Sequence, residues 1–566
     1  MTYTPPVAEQ LFVLRHIVDM AALATHDAYS EATPDLVEAI VAGAGEFAAG
    51  EFAPLNRVGD ETGAKWSPEG VTMPPGFREA YQAYVEGGWG TLAGPSEHGG
   101  QGLPLALATV VMEDLGSANM AFSMVTMLSA GAVEALRHHG SDELKARWLP
   151  KLVTGEWTGT MNLTEAQAGS DVGALKTRAE PAADGTWRIA GQKIFISFGD
   201  HDLAGNILHL VLARTPGAPA GTKGISLFLI PKVLPDGTRN DLRCVSIEHK
   251  LGIHASPTAV MAFGDDGGAT GWLIGEEMAG MKAMFTMMNN ARLNVGLQGV
   301  SIAERATQAA AFYALERVQG LRDKRPAVIA EHPDVRRMLL RMKALTQAAR
   351  ALCYYAAGQT DRGALGDAAA QARADVLTPL VKAYGTDIGC EVASLGVQVH
   401  GGMGFVEETG AAQHYRDIRI APIYEGTNGI QAADLVGRKL GLQGGEPLRA
   451  LLADIAGEAE GPLAELAAAA RRAAEAIGSM DADDRLAGSY PFLTLLSTAV
   501  CGWLMNRQLR ALGQDDVDPG FAALKRAACL YYLEHVVPEA IGLERAATAG
   551  AELFYSLDAE AFAGAG

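Results

Sequence analysis

Apolar residues recur three and four apart in LFVLRHIVDM (residues 11–20) and LVEAIVAGAGEFAAG (36–50), the spacing of one buried helix face. Residues 5–55 therefore read as helices. A looser stretch rich in Gly and Pro follows, from WSPEGVTMPPG to LAGPSEHGGQGLP. Helical spacing resumes in LALATVVMEDLGSANMAFSMVTMLSAGAVEALRHHG. SDELKARWLPKLVTG then predicts one short helix, with Ser141 as its cap and Glu143 in its first turn.

The period changes after residue 157. TWRIAGQKIFISF, ILHLVLART, GISLFLIPK and AVMAFG alternate or run β-branched between Gly, Pro and Asp turns, with one turn in PAADGTW. Helical spacing returns with MKAMFTMMNNARLNVGLQGV and predicts helices over 332–359, 366–399 and 428–441. GLQGGEPLRA marks a boundary. The Ala-rich helical stretches beyond it, to residue 550, are assigned to packing or assembly. The expected fold is α+β multidomain: an N-terminal helical domain over 1–157, a middle β domain over 158–280, a helical bundle over 281–445 and an additional C-terminal helical region over 446–566. There is no βαβ rhythm and no GxGxxG opening a helix after a strand, which excludes a Rossmann unit or a TIM barrel.

Composition narrows the function classes. The chain has 566 residues, 48% apolar and 20% charged, enough for more than one buried core. Its formal net charge is -20, from 66 acidic and 46 basic side chains. That balance argues against non-specific binding to nucleic acid or an anionic membrane, while a local basic patch can still hold a phosphate. Cys244, Cys353, Cys390, Cys501 and Cys529 form no CxxC pair and are too widely spaced for a zinc knuckle, so no metal is expected. Unclustered cysteines fit a reducing compartment. The opening residues lack a basic segment followed by a clean apolar run, and no window offers the ~18 apolar residues of a membrane span. A cytoplasmic protein without membrane insertion is expected.

Three stretches offer chemistry. MNLTEAQAGSDVGALKTRA (161–179) puts Thr164, Ser170 and several small residues where the helical pattern hands over to the β pattern. This is either a surface on which backbone donors meet a flat polar ligand, or a polar turn capped by Ser170 and Asp171. VHGGMGFVEE (399–408) follows a helix. Its Gly401, Gly402 and Gly404 either lie against a diphosphate or simply end that helix. His400 is expected to pack or cap, and Arg416, Asp417 and Arg419 to form a structural ion network. In IAPIYEGTNGI, Glu425 stands between an apolar segment and Gly426. Such surroundings raise a carboxylate's pKa toward that of a general base, but pattern alone serves a buried capping role equally, with Thr427 or Asn428 as the better cap.

In order along the chain, TEAQAGSD, GQKIFIS, ARLNVGLQG, GGMGF and YRDIRIAPIYEGTNGIQ closely resemble the acyl-CoA dehydrogenase family of flavoproteins over roughly residues 80–440. The length, the opening segment, EHKLGIHASPT and the region beyond 450 resemble its longer subgroup, which includes 3-methylmercaptopropionyl-CoA dehydrogenase. The resemblance implies FAD, held between the β and helical domains, and Glu425 as the base that removes the proton alpha to a thioester. A second family arrangement carries the base at the position of Ala291, which cannot act. Leu163 and Thr164 match residues beside the flavin ring, and Ser170 a contact shared with the acyl-CoA side. Phe195 and Ser197 stand where the family usually has Trp and Thr, and Ala166 replaces a customary Pro. Arg317 matches an arginine reaching FAD phosphates across a subunit interface. Gly401, Gly402 and Gly404 match the turn against a neighbouring subunit's FAD, and Thr427 and Asn428 lie close to the cofactor. Arg292 matches a residue that orients the active-site region without acting as acid or base.

The implied reaction is α,β-dehydrogenation of a saturated acyl-CoA to a trans-2-enoyl-CoA. The substrate is 3-(methylthio)propanoyl-CoA or a short- or medium-chain fatty acyl-CoA. Electron-transfer flavoprotein is the implied acceptor, and a homodimer or higher homo-oligomer the implied assembly. The alternatives are an acyl-CoA oxidase and a non-catalytic flavin-binding or assembly protein of the same fold.

Overall fold

Runs of β-branched and aromatic residues between Gly, Pro and Asp turns present no helical stripe, and they pair as strands. In the computed structural model, which describes residues 3–514 and 517–564, they belong to the first of two units, Met1–Pro5 with Ala39–Asn294. A short hairpin of β1 (Lys65–Ser67) and β2 (Gly70–Thr72) comes first. The main sheet comprises β3 (Thr158–Asn162), β4 (Arg178–Pro181), β5 (Trp187–Ser197), β6 (Ile207–Ala213), β7 (Ser226–Pro231), β8 (Leu242–Ile247), β9 (Thr258–Phe263) and β10 (Ala269–Ile274). Their order is β3-β6-β7-β10-β5-β9-β8, with β4 paired to β5. Only β3 and β6 run parallel; every other pair is antiparallel. Every residue of β6 and β7 is buried, so these strands are covered on both faces.

Helices of this unit obey the spacing seen in the sequence. Ser141 caps Asp142–Val153 by accepting from the Leu144 N–H at 3.3 Å. The Met120–His139 helix lies directly against β3: a Cβ at Gly159 would fall 2.4 Å from the Ala132 Cβ, and the Gly159 N–H donates to Ser129 Oγ at 3.1 Å. Phe122 on that helix stacks on Phe52 at 4.3 Å and meets Phe77 at 4.4 Å, giving an aromatic core.

The second unit is Pro6–Glu38 with Val295–Gly566. Its frame is three long helices, Gly280–Glu316, Pro333–Ala364 and Ala368–His400, of 37, 32 and 33 residues; the first begins in the other unit. Two of them touch backbone to backbone. A Cβ at Gly299 would lie 1.9 Å from the Gly385 carbonyl oxygen, one at Gly385 2.6 Å from the Gly296 oxygen, and one at Gly389 2.7 Å from the Gly299 Cα. Only hydrogen fits at these crossings.

The tail helices Glu446–Glu458, Pro462–Ser479, Ser489–Ala511 and Pro519–Tyr531 belong to the same unit. A buried ionic chain fastens part of the tail. Lys525 donates to Glu9 at 2.6 Å and to Gln508, Glu9 lies 3.8 Å from Arg350, and Arg350 donates to Glu304 at 2.8 Å. Lys343 completes it at 3.4 Å from Glu304. Despite burial, these cations hold the Glu304 carboxyl down at about 2.

The architecture of N-terminal helices, middle β-sheet and C-terminal helical bundle is the one the sequence implies. The hairpin β1–β2 and a second hairpin of β11 (Val318–Arg322) and β12 (Arg325–Val328) fall in stretches read as loop or helix. Both are short and polar, and pairing rather than periodicity makes them strands. No helix among the described residues is long and apolar enough to cross a membrane.

Two outcomes follow. Gly299→Ala is expected to cost the helical unit about 2–3 kcal/mol in urea unfolding, whereas Gly457→Ala, where a Cβ meets nothing within 4 Å, is expected to leave stability unchanged or raise it. Because Glu304 ionises more readily folded than unfolded, its contribution is complete above about 4.5 and vanishes as pH falls toward about 2. Thermal unfolding over that range should show a steeper acid loss in the wild type than in Glu304→Gln, which starts lower.

Candidate functional site

In the first unit, four of the residues singled out above come together at one place. Lys193 on β5 is completely buried. Its ammonium donates to the Leu163 carbonyl at 3.0 Å and to Glu165 at 2.8 Å. Glu165 also accepts from the Lys176 N–H at 2.7 Å, the Thr177 N–H at 3.0 Å and the Thr177 hydroxyl at 2.6 Å. These partners hold its carboxyl down at about 2 against the effect of burial, and desolvation lowers Lys193 to about 8. The Ile194 N–H closes the clamp on the Thr164 carbonyl at 2.9 Å. The chain leaving β3 is thereby fixed against β5.

Directly beyond the clamp, the pairing of β5 with β9 slips between Lys193 and Ile196. Phe195 sits in this bulge with φ +60°, and the residue is 59% exposed. A bulge re-aims a side chain in this way. Thr160 holds the Ser197 carbonyl at 2.7 Å. The N–H and hydroxyl of Thr164 and the hydroxyl of Ser197 find no acceptor among the described residues. The result is a part-exposed aromatic ring beside uncommitted donors on a fixed backbone. Ser170 is exposed nearby in sequence, and neither it nor Asp171 caps the short turn Val172–Ala174. Arg292 and Ala291 are both buried on the long helix.

In the second unit, the YEGTN turn is held from two helices at the height of the glycine crossing. Tyr424 donates to Gln298, which stands between Gly296 and Gly299. Burial and the neighbouring Glu425 carboxylate push the Tyr424 phenol up. Asn428 is buried; it accepts from Lys382 at 2.9 Å and donates to the Ala383 carbonyl at 3.1 Å, Thr386 at 3.0 Å and Asp387 at 2.8 Å. Thr427 is the cap of Asn428–Asp434, accepting from the Ile430 N–H at 3.2 Å. Glu425 itself lies between these anchors at φ +56°, part-buried, with Gln431 donating to its carbonyl at 3.2 Å. Two buried amide atoms beside the turn, Gln298 Nε2 and Gln431 Oε1, have no hydrogen-bond partner among the described residues.

Gly401, Gly402 and Gly404 form the turn that ends Ala368–His400. Gly404 is packed so closely that a Cβ would lie 2.2 Å from the Val397 oxygen, whereas Gly401 and Gly402 face open space. His400 bonds the Gly396 carbonyl at 2.7 Å and stacks on Tyr313 at 4.5 Å, which is a packing role. The same Tyr313 accepts the Arg317 N–H at 2.9 Å, so Arg317 and the glycine turn share one neighbourhood. Phe312, Leu315, Met403 and Phe405 are exposed there. Arg416 pairs with Glu407 at 2.8 Å, and Asp417 accepts from Gln413 at 3.3 Å.

Sequence reasoning passed over Lys193, Glu165, Gln298 and Gln431. Lys193 had a readable signal, a lone charge amid GQKIFIS. The glutamines had none, because their role depends on where the 424–428 turn lands.

Comparison with known proteins gives these residues a lineage. The chain matches the family models described as acyl-CoA dehydrogenase N-terminal domain over residues 35–156, middle domain over 160–265 and C-terminal domain over 278–440. A fourth, acetyl-CoA dehydrogenase C-terminal like, matches 433–558. A protein of Ruegeria pomeroyi named 3-methylmercaptopropionyl-CoA dehydrogenase is 47% identical over 89% of this chain and 90% of that one. A butyryl-CoA dehydrogenase of Syntrophomonas wolfei is 36% identical over 94% of this chain and 95% of its own. A crystal structure of a Bacillus anthracis acyl-CoA dehydrogenase complexed with FAD shares the fold, with a TM-score of 0.75 at 22% identity over 94% of this chain and 91% of that one. The chain belongs to the acyl-CoA dehydrogenase family.

Proposed function

We propose that this chain is an FAD-dependent dehydrogenase that converts a saturated acyl-CoA to its trans-2-enoyl-CoA, with Glu425 as the base. The observation that carries this reading is the presentation of Glu425. It is the carboxylate of a turn held from two helices through Tyr424 and Asn428, whereas the other place where the family carries a base is Ala291.

The residues of this chain fit the cofactor. Thr164 and Ser197 offer uncommitted donors for the polar edge of a heterocycle, Phe195 offers a ring face, and Gly401 and Gly402 leave room for a ligand close to backbone. When bound, FAD supplies the two-electron acceptor for the hydrogen leaving the β-carbon. The work of the chain is acid–base chemistry and positioning. A Cα–H is far too weak an acid for an unaided carboxylate. The thioester must be polarised, and we assign the enolate-facing donor to the Glu425 N–H. Leu163, Thr164, Phe195, Ser197, Arg317, Gly401, Gly402, Gly404 and Thr427 are proposed cofactor residues. Asn428 acts through the turn that it anchors. Ser170 and Arg292 are proposed to border and orient the substrate region.

The substrate we favour is 3-(methylthio)propanoyl-CoA, supported by 47% identity with the Ruegeria pomeroyi protein of that activity. Short- and medium-chain fatty acyl-CoA is the second choice, supported by the butyryl-CoA dehydrogenase relative. Electron-transfer flavoprotein as acceptor and a homodimer or higher homo-oligomer complete the proposal. The exposed Phe312, Leu315, Met403 and Phe405 beside the glycine turn support a second copy there. The division at 1–157, 158–280, 281–445 and 446–566 is part of the same proposal.

Glu425→Gln is expected to lower kcat by about 10²–10⁴-fold while acyl-CoA still perturbs the flavin spectrum; undiminished turnover would remove Glu425 as base. Lys193→Met, which leaves Glu165 buried without its cation, is expected to cost about 3–5 kcal/mol and to release FAD during gel filtration, with Lys193→Arg retaining more of it. Full retention in the methionine variant would show that the clamp does not position the cofactor.

A further inference from the structure

The Ala-rich helices beyond residue 446 pack closely on one side only. On Glu446–Glu458, positions 448, 452 and 456 share a face, and on Pro462–Ser479, positions 464, 468, 471 and 475 do the same. Alanine side chains at 456, 464 and 468 are too short to close the space between these faces. The third wall, 436–445, brings glycines at 437, 441 and 444, where a Cβ would meet nothing within 4 Å. A groove of about 910 Å³ results, floored by the buried Leu448 and Leu452.

Its charge is opposite to that of the chain as a whole. Against a net charge of -20, Arg449, Arg471 and Arg485 line the groove with a single carboxylate, Glu475. Arg449 is committed to Glu446 at 2.9 Å. The other two have donors to spare: the Arg471 side chain makes no hydrogen bond or ion pair among the described residues. Arg485 donates to the Met480 carbonyl at 3.1 Å and the Gly478 carbonyl at 3.5 Å, while its buried Nε has no partner among the described residues. An apolar trough with a few convergent polar groups is the usual form of a small-molecule site, and guanidinium is suited to carboxylate or phosphate.

We propose that this groove binds an anionic amphiphile, its apolar chain along Leu448, Leu452 and the alanine stripe and its carboxylate or phosphate on Arg471 and Arg485. The site lies wholly within the helical unit and does not depend on the role given to Glu425. A long-chain carboxylate and a long-chain acyl-CoA share this chemistry.

The test uses the full-length holoprotein with saturating crotonyl-CoA to occupy the dehydrogenation site. 11-(Dansylamino)undecanoate is titrated by fluorescence and displaced with palmitate, palmitoyl-CoA or uncharged monopalmitoylglycerol. Saturable binding is expected, displaced by one or both anions, which identifies the source, and poorly by the neutral lipid. The double variant R471E/R485E should bind the probe at least tenfold more weakly, and Ala468→Trp, which fills the groove, should abolish binding. Both should keep their dehydrogenation rate. No saturable binding, equal displacement by the neutral lipid, or a probe affinity unchanged in both variants would overturn the proposal.

Discussion

The helical unit turns on one steric fact, that two of its long helices cross with only hydrogen between their backbones. Gly296 and Gly299 on one helix meet Gly385 and Gly389 on the other at separations that leave no room for a methyl group. Any larger residue forces the axes apart, because the obstacle is backbone rather than the end of a flexible side chain. Around this crossing stand the groups that hold the 424–428 turn: Gln298 beside the glycines of the first helix, and Lys382, Ala383, Thr386 and Asp387 beside those of the second. The placement of the turn that carries Glu425 thus depends on glycine packing some distance along the chain. That is the kind of support the proposed base needs, since misplacement by about 1 Å is enough to cost about 10²-fold in rate.

The sheet unit uses a different device for the same purpose. The loop after β3 has no regular partner, yet Lys193 and Glu165 fasten it to β5 from inside the core. Neither charge is stranded: Glu165 receives four donors besides the ammonium, from the Gln167 amide, the Lys176 and Thr177 N–H groups and the Thr177 hydroxyl, which compensates its burial. With the loop fixed, the donors of Thr164 and the bulge that turns Phe195 outward keep a constant geometry. A flexible loop would have to be ordered at the expense of binding.

Most of the fold was legible because it follows from period. Long helical stripes located the three bundle helices within a few residues, and β-branched runs located β5, β6, β7 and β9. The strands that escaped, such as RAEP in β4 and the Val318–Arg322 hairpin arm, are short and polar and owe their form to a partner strand. At the site, Glu425 and the glycine turn stood out from their immediate neighbours. Lys193 stood out as a lone charge amid GQKIFIS but was passed over; Gln298 and Gln431 did not stand out, since nothing local distinguishes a helix glutamine that reaches a distant turn. The glycine spacing in NVGLQGV and YGTDIGC was visible as a breach of helical propensity. Its meaning required both helices to be seen together.

The most direct measurement is an anaerobic titration of the purified holoprotein with saturated acyl-CoAs, 3-(methylthio)propanoyl-CoA among them, following flavin absorbance and the thioester product. Rapid bleaching by a saturated thioester with formation of the trans-2-enoyl-CoA is expected, and the strongest response identifies the acyl chain. Absence of a yellow cofactor, or a flavin that none of the thioesters reduces, would contradict the proposed dehydrogenation.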